Sequence, residues 1–186
     1  MSESAREAVL AAARRRAQAH GYGGLNFRDI GAEAGIKAPS IYHHFASKAD
    51  LGAAVARRYW EDTAAALEAL SAKTGDALEA LRVYPSLFRE SLEADNRMCL
   101  CSFMAAEYDD LPDAVKVEVQ AFADVNVAWL ARMLSAVSGD KSGNEAKARA
   151  IFAAVAGAQL MARSRADLGL FDTLIDSFRE AGLIPS

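Results

Sequence analysis

Residues 35–51, "GIKAPSIYHHFASKADL", contain the signals that predict a turn, a short helix and the start of a longer helix. Gly35 suits the left-handed position that ends a preceding helix. Pro39 fits the first turn of a new helix, where its missing N–H costs nothing. Ser47 followed by Asp50 has the capping-box spacing that opens a further helix. These signals predict one short helix between two turns.

The residues before this stretch predict two more helices. A capping-box pattern at Ser4 opens a first helix that runs to about His20, and the glycines of "HGYGG" end it. Asn26 is a favourable N-cap for a second helix over 27–34. Two short helices joined by a glycine turn, with a helix before them, form a helix-turn-helix unit. Its second helix, Ala38 to Phe45, is then the recognition helix.

The rest of the chain also predicts helices and no strand. Only four of the 186 residues are Pro, and alanine is abundant. We expect a long fourth helix, a fifth interrupted by Pro85, a short apolar helix in "MCLCSFMAAEY", a helix from Asp113, and two last helices over about 145–165 and 169–181. The prediction is an all-α protein of about nine helices.

The charge is unevenly distributed along the chain. Residues 1–60 contain nine Lys and Arg and five Asp and Glu, a net charge of +4, whereas the remainder has a net charge of −8. All three histidines also lie in the first 60 residues. A basic N-terminal region followed by an acidic remainder is the charge asymmetry expected of a protein whose N-terminal part binds phosphates.

Composition and sequence motifs also indicate the cellular compartment of the protein. The longest apolar run, "IFAAVAGAQLMA", is too short to span a bilayer, so no membrane partner is expected. The N-terminal residues contain "ARRRAQ" and no apolar signal-peptide core. Two cysteines without a secretory signal are typical of a reducing compartment. These features predict a cytoplasmic protein.

The adjacent histidines of the recognition helix have several interpretations. On that helix Ser40, His43 and His44 can reach bases or phosphates, while Ile41 and Phe45 face inward. Structural or surface histidines are the plainer alternative. Metal binding is disfavoured because adjacent side chains point about 100° apart on a helix. Nor does the sequence contain a catalytic triad order or a phosphate loop, so we expect neither an enzyme nor a cofactor.

At these residues the sequence resembles the TetR family of one-component repressors. The family signature is a Gly-aromatic pair, a capped helix with an Ile, an Ala-Gly turn, a Tyr-x-His-Phe run and a Ser-Lys pair. Here these read "GY", "NFRDIGAEAGI", "YHHF" and "SK". The match covers about residues 6–60, with order and spacing both in agreement. The remaining two-thirds is similar in helix number and length only.

The resemblance implies two domains and three partners. Residues 1–46 would form the helix-turn-helix DNA-binding domain, and 47–186 a helical domain for ligand binding and dimerisation. The partners would be operator DNA, a second copy of the chain and a small-molecule inducer whose identity the sequence does not reveal. The implied DNA-contacting residues are Arg28, Lys37, Ala38, Pro39, Ser40, Tyr42, His43, His44 and Lys48.

This chain departs from the family pattern at two places. Phe27 stands where the family usually has a Thr that meets a phosphate, and Asn26 is the nearest polar substitute. Ala38 and Pro39 replace a polar pair or Lys-Gly and have no side-chain hydrogen-bond donor. Any base reading at these two positions is therefore expected to be apolar contact with thymine methyl groups.

The last two helices carry small and apolar stripes that predict a dimer interface. The alternative is that both stripes fill the core of a single chain. The predicted interface residues are Ala150, Ala154, Gly157, Ala158, Phe171, Leu174, Ile175 and Phe178. A dimer is favoured because one helix-turn-helix reads too few base pairs for useful specificity.

Large apolar side chains of the body are candidates for a ligand pocket, although each also suits an ordinary core. The candidates are Tyr84, Phe88, Phe103, Met104, Phe122, Asn126, Trp129, Met133 and Met161. Asn126 interrupts an apolar stripe, so it either bonds a neighbouring helix or anchors a ligand.

Cys99 and Cys101 are redox candidates with a plain alternative as buried packing residues. The two residues are expected on one helix, about 200° apart, where they cannot form a disulfide with each other unless the helix unwinds. The leading hypothesis is a dimeric repressor released from a pseudo-palindromic operator by a small molecule. Alternatives are a thiol-based redox or electrophile sensor, a helical enzyme and a protein-interaction module.

Overall fold

The protein is α-helical in the residues that its computed structural model describes, 3–139 and 142–186. No strand occurs in these two ranges, which confirms the all-α class. Ten α-helices are found there, and short 3-10 turns lie at Tyr22–Gly24 and Tyr108–Asp110. The helices are α1 Glu3–His20, α2 Phe27–Ala34, α3 Ala38–Ile41, α4 Lys48–Thr74, α5 Ala77–Val83, α6 Ser86–Glu93, α7 Leu100–Ala105, α8 Asp113–Ser138, α9 Asn144–Arg165 and α10 Leu168–Glu180.

The first helix boundaries follow from short-range signals in the sequence. The Asn26 side chain accepts hydrogen bonds from the backbone N–H groups of Arg28 (2.8 Å) and Asp29 (3.3 Å), as expected of an N-cap. Gly35 ends α2 in the left-handed conformation, with φ of 67°. The Ser47 hydroxyl accepts the backbone N–H of Asp50 at 3.1 Å and so opens α4. These three predicted caps are confirmed.

The predicted recognition helix is less regular than its sequence suggests. Its α-helical part is limited to Ala38–Ile41, and 42–44 form a turn. The backbone N–H groups of His44 (2.9 Å) and Phe45 (3.0 Å) both bond to the Ile41 carbonyl, so the helical path continues for one more turn. The chain then leaves this path to reach Ser47, which caps the next helix. We call 38–45 the recognition segment.

Pro85 accounts for the tenth helix. It divides the predicted fifth helix into α5 and α6, because proline has no N–H to donate to the preceding turn. Tyr84 and Pro85 both keep right-handed helical backbone angles, and the N–H of Arg89 still bonds to the Pro85 carbonyl at 3.2 Å. The interruption is therefore a kink between two helical segments.

Two compact units divide the chain. The first comprises Met1–Glu61 and Leu100–Phe122, and the second comprises Asp62–Cys99 and Ala123–Ser186. The boundaries fall inside α4 and α8, whereas the functional division expected from the sequence lies at residues 46 and 47. That functional division stays a prediction. Over the described ranges, the helices lack the long apolar run that a bilayer-spanning segment requires.

The first unit holds the helix-turn-helix on a small apolar core. Two ion pairs join α1 to α2: Arg15 with Glu33 at 2.5 Å and Arg16 with Asp29 at 3.0 Å. Both are largely exposed, so we expect them to orient the helices more than to stabilise them. The buried core includes Val9, Ala13, Ile30, Ile41, Phe45, Leu51, Val55 and Val115.

A buried carboxylate joins α4 to α8 within the first unit. Glu118 is 5% exposed and accepts hydrogen bonds from Arg57 Nε (3.0 Å) and Trp60 Nε1 (2.8 Å). Burial alone raises the pKa of Glu118, but the two hydrogen bonds and the charge of Arg57 outweigh it and hold the pKa below its usual value. Glu118 therefore stays ionised as a satisfied structural contact.

The second unit is built from the end of α4, the kinked pair α5–α6, the rest of α8, and α9–α10. Arg89 on α6 forms a bidentate ion pair with Asp172 on α10, at 2.7 and 3.0 Å. The hydrogen bonds of this pair lower the pKa of Asp172. Its buried core includes Leu67, Leu81, Tyr84, Leu130, Ile151, Val155, Phe171 and Ile175.

Candidate DNA-binding surface and helical body

The recognition segment has one face in the core and one face in solvent. Ile41 is fully buried and Phe45 is 3% exposed, so these two side chains anchor the segment to the core. Tyr42 is 58% exposed and His43 is also exposed on the outer side. This separation agrees with the predicted inward pair. A segment held this way presents a defined outer surface, as base reading in a groove requires.

Phe27 supports the exposed tyrosine. The rings of Phe27 and Tyr42 are 4.7 Å apart at their centroids and inclined by 57°. Phe27 is itself buried, at 9% exposure, and its ring packs against the inner side of the Tyr42 ring. The aromatic residue that replaces the family's usual Thr thus has a packing role here.

Lys48 and His44, both predicted to contact DNA, have side chains that are engaged or partly buried within the first unit. The Lys48 ammonium lies 4.3 Å from the centroid of the Tyr22 ring, in a cation–π contact. His44 is half-buried, and its Nε2 is buried without a hydrogen-bond partner. Contact of either side chain with a phosphate therefore requires it to move from the position described.

The other seven predicted DNA-contacting positions lie in α2, in α3 and in the residues next to α3. Arg28, Lys37 and Pro39 are exposed, together with Tyr42 and His43 described above, whereas Ala38 and Ser40 are half-buried. Arg28 follows the Asn26 cap in the first turn of α2, where the positive end of the helix dipole also faces outward. Together these positions form a surface that is basic, aromatic and polar.

Sequence analysis missed a carboxylate that belongs to this unit. Glu107, after α7, accepts hydrogen bonds from the backbone N–H groups of Tyr22 (2.6 Å) and Gly23 (3.3 Å) in the turn between α1 and α2. Its sequence neighbours Tyr108, Asp109 and Asp110 are exposed. No signal local to residue 107 points to a partner 85 residues away.

A closed cluster of rings lies inside the second unit. Tyr84 packs against Trp129 and Phe88, each at a centroid distance of 5.7 Å, and Phe88 is 6.3 Å from Phe152. Trp129 Nε1 donates to the Ser71 hydroxyl at 2.9 Å. Three of the predicted pocket residues, Tyr84, Phe88 and Trp129, thus fill a core in this structure.

Asn126 bonds Tyr84 at the junction of α5 and α6, and its role as a ligand anchor stays a prediction. The Tyr84 hydroxyl donates to Asn126 Oδ1 at 2.9 Å, and both side chains are fully buried. Burial, with a smaller effect from the nearby Cys99 thiol, raises the pKa of Tyr84 well above its ordinary value. The phenol therefore stays protonated and remains a hydrogen-bond donor.

The remaining predicted pocket residues are not all in one place. Met133 is buried in the second unit, where its sulfur accepts the Ser71 hydroxyl at 3.7 Å. Phe103, Met104 and Phe122 belong to the first unit, where Met104 and Phe122 are buried and Phe103 is half-buried. Met161 is 47% exposed on α9, so it does not line an enclosed cavity of the chain.

Two surface cavities lie in the second unit, and none of the predicted pocket residues lines either one. One has a volume of about 570 Å³ between α8 and α9, with Val127, Ala131, Arg132, Asn144 and Arg149 among its lining residues. The other has a volume of about 390 Å³ beside the Pro85 kink and α10. The first lies within the usual size range of small-molecule sites.

The cysteine geometry assumed from the sequence is wrong. Cys99 precedes α7 and lies outside the helix, so the helical angle between the two residues does not apply. Neither cysteine belongs to a disulfide among the described residues, and both are buried, at 2% exposure for Cys99 and 1% for Cys101. A buried thiol in apolar surroundings is poorly reactive. The burial favours the interpretation of both as packing residues.

A buried glutamine joins α9 to the segment that contains Cys99. Gln159 is fully buried, and its amide nitrogen donates to the Phe88 carbonyl at 2.8 Å. Its amide oxygen accepts the backbone N–H of Cys99 at 3.0 Å. One turn further along α9, Arg163 donates to the Asn96 carbonyl at 2.8 Å. These bonds satisfy the Phe88 carbonyl of α6 and backbone groups of the loop after it, where Asp95 and Asn96 have positive φ.

The predicted interface residues of α9 and α10 divide into two groups. Ala158, Phe171 and Ile175 are buried within the chain, so they hold the two helices together and are not available to a partner. Ala150 and Gly157 are exposed, and Ala154, Leu174 and Phe178 are half-buried. Leu160 and Met161, both near half exposure, continue the exposed side of α9. We call Ala150, Ala153, Gly157, Leu160, Met161 and Ser164 the α9 stripe.

Comparison with known proteins identifies the N-terminal unit. Residues 9–55 match the family model described as bacterial regulatory proteins, tetR family. No curated protein matches the chain.

Solved structures extend the likeness over nearly the whole chain. A TetR transcriptional regulator from Legionella pneumophila is 28% identical with a TM-score of 0.88, covering 97% of this chain and 98% of its own. A TetR-family regulator from Agrobacterium tumefaciens is 29% identical with a TM-score of 0.89, covering 96% and 97%. A regulatory protein TetR from Rhodobacter sphaeroides, 21% identical, shares the fold with a TM-score of 0.86 over 94% and 96%.

A helix-turn-helix with an outward recognition segment, followed by a helical body, defines a DNA-binding transcriptional regulator. The family model matches residues 9–55, and the two regulators at 28% and 29% identity share the fold over 97% and 96% of this chain. Residues 9–55 therefore form a tetR-family domain, and the chain as a whole is similar to TetR-family transcriptional regulators.

Proposed function

We propose that the protein is a dimeric repressor that binds a pseudo-palindromic operator and leaves it when a small molecule binds the helical body. The observation that carries the proposal is the recognition segment, in which Tyr42 and His43 point outward while Ile41 and Phe45 are buried. Arg28 and Lys37 lie exposed beside it. Such a surface reads base edges and positions itself through phosphates.

The α9 stripe supports a dimer. It places two large apolar side chains, Leu160 at 55% and Met161 at 47% exposure, next to small residues around Gly157. Exposed apolar groups beside small residues allow close approach of a second helix, which removes them from water. Two copies related by a two-fold axis present two recognition segments, and a pseudo-palindromic operator mirrors that symmetry.

Ligand response is the part of the proposal that rests on the family resemblance and on the body's chemistry. The Tyr84–Asn126 pair is a hydrogen-bonded polar group inside a cluster of rings, the combination that orients small molecules in apolar sites. A ligand that takes over one of these hydrogen bonds separates α5 from α8. It lowers DNA affinity to the extent that it binds the DNA-free state more tightly.

The proposal is tested with the DNA that flanks the protein's own gene. Binding to this duplex should be specific over scrambled DNA and should weaken steeply with salt. A protein-interaction module or an enzyme would give no salt-dependent specific complex. A thermal-shift screen then finds the inducer, because a ligand at a hundred times its Kd stabilises the folded state by about 2.7 kcal/mol. The hit must also dissociate the DNA complex.

Lys48→Ala should weaken binding to all DNA sequences alike and lower the salt slope by about one unit, because one phosphate contact is lost. Lys116→Ala is a matched control. Lys116 also lies over a tyrosine ring, 4.6 Å from the Tyr108 centroid, but outside the helix-turn-helix. Fluorescence anisotropy at several salt concentrations measures both variants. Equal slopes for Lys48→Ala and Lys116→Ala would remove Lys48 from the interface.

A further inference from the structure

We propose that Glu107 is a positioning residue for DNA binding, although it lies outside the helix-turn-helix. Its carboxylate holds the turn between α1 and α2 through the backbone N–H groups of Tyr22 and Gly23, at 2.6 and 3.3 Å. This inference rests on the proposed DNA-binding role of Lys48 and Arg28. Hydrogen bonds from backbone N–H groups to a carboxylate are strong and directional.

The turn is shaped around this carboxylate. Gly21 has φ of 65°, and a Cβ built on it would lie 2.2 Å from Glu107 Oε2. Any side chain at Gly21 would therefore displace the carboxylate as well as strain the backbone. The glycine of the "GY" pair is needed here because Glu107, 86 positions later in the sequence, occupies the space that a side chain would take.

Tyr22 connects the turn to Lys48. Its ring is 9% exposed and lies against Gly52 of α4, where a Cβ would come within 2.8 Å of the ring and 3.2 Å of Val115 on α8. The Lys48 ammonium rests on this ring at 4.3 Å. Since Glu107 fixes the backbone of Tyr22, it also fixes the position of the Tyr22 ring that the Lys48 ammonium contacts.

The same turn leads directly into α2. The backbone N–H of Leu25 bonds to the Tyr22 carbonyl at 3.1 Å, and Asn26 then caps the helix. Arg16 Nε also donates to the Gly24 carbonyl at 3.2 Å. A turn that is held at both ends fixes where α2 begins and so where Arg28 lies. Loss of the Glu107 contact should loosen Arg28 and Lys48 together.

The sign of the effect separates positioning from simple electrostatics. Removing a negative charge near DNA raises affinity if the carboxylate only repels phosphates. Loss of a positioning contact lowers affinity, because the binding surface must then be ordered when DNA binds. Glu107→Gln removes the charge and keeps the size of the side chain. Asp109→Asn removes the same charge from an exposed side chain two residues away and serves as the control.

The test measures anisotropy of the duplex flanking the protein's own gene in five proteins: wild type, Glu107→Gln, Asp109→Asn, Lys48→Ala and the Glu107→Gln/Lys48→Ala double variant. We expect Glu107→Gln to weaken binding about tenfold and Asp109→Asn to leave it unchanged or slightly stronger. In the Lys48→Ala background the Glu107→Gln effect should shrink to about threefold, the remainder acting through Arg28. An undiminished effect in that background, or affinity equal to that of Asp109→Asn, would overturn the proposal.

Hydrogen exchange in the wild-type protein gives a second measurement that does not depend on how the variant folds. If the turn and DNA binding are coupled, adding the duplex should slow exchange of the Tyr22 and Gly23 amide hydrogens. Unchanged exchange at both amides would contradict the role of Glu107. Failure of the proposed function itself appears differently, as absence of specific binding by the wild-type protein or as an unaltered salt slope in Lys48→Ala.

Discussion

Gly157→Leu should produce a folded monomer that has lost at least about a hundredfold in affinity for the operator, because a single half-site supplies too few contacts. Within the chain, a Cβ at Gly157 meets nothing within 4 Å, and the backbone is ordinary helix. Leucine is also a better helix former than glycine by up to about 1 kcal/mol. The substitution therefore leaves the chain intact and blocks only the approach of a second α9.

Sedimentation velocity measures the oligomeric state of this variant, and anisotropy with the duplex flanking its gene measures its affinity. Ala65→Leu is the matched control, since Ala65 is exposed at mid-helix on α4, away from the α9 stripe. The control should remain a dimer and bind as the wild type does. A Gly157→Leu protein that sediments as a folded dimer would place the interface elsewhere.

Gln159→Leu should lower the free energy of unfolding by about 3 kcal/mol, because two backbone groups lose their partners in a fully buried place. The Phe88 carbonyl and the Cys99 N–H each bond to the Gln159 amide, at 2.8 and 3.0 Å. Leucine fills a similar volume but offers neither donor nor acceptor. Each backbone group left unsatisfied costs about 1–3 kcal/mol.

Urea denaturation at one fixed protein concentration measures this change, since dimerisation makes stability depend on concentration. Gln120→Leu makes the same replacement at an exposed position of α8 and should change stability by no more than about 0.5 kcal/mol. If both variants unfolded at the same urea concentration as wild type, the Gln159 bonds would contribute nothing to the fold. Gln159→Leu should also speed amide exchange at Cys99 before the chain unfolds globally.

The helix-turn-helix could be predicted from sequence because its signals are local. Asn26, Gly35 and Ser47 act on backbone groups within a few residues of themselves, and the structure has all three caps where the sequence predicted them. The last two helices were placed within about one residue of their observed bounds for the same reason. Local hydrogen bonds and backbone preferences do not depend on how the rest of the chain packs.

Tertiary structure decided which apolar residues face inward. The stripes of α9 and α10 were visible in sequence, but spacing alone does not say whether a stripe is covered by the same chain or by another. The structure buries Ala158, Phe171 and Ile175 and leaves Gly157 and Leu160 exposed. It also places Cys99 before α7, with its N–H bonded to Gln159.

By itself, the sequence determined the helical class, the caps and the recognition segment, all of which depend on contacts between residues close in the chain. Only the tertiary structure decided that Glu107 holds the turn at Tyr22, and that Asn126 bonds Tyr84 from 42 residues away. A carboxylate or an amide has the same local pattern whether it faces water or a distant backbone. The partner of such a side chain depends on how α7 and α8 pack, and this packing depends on the shape of the whole core.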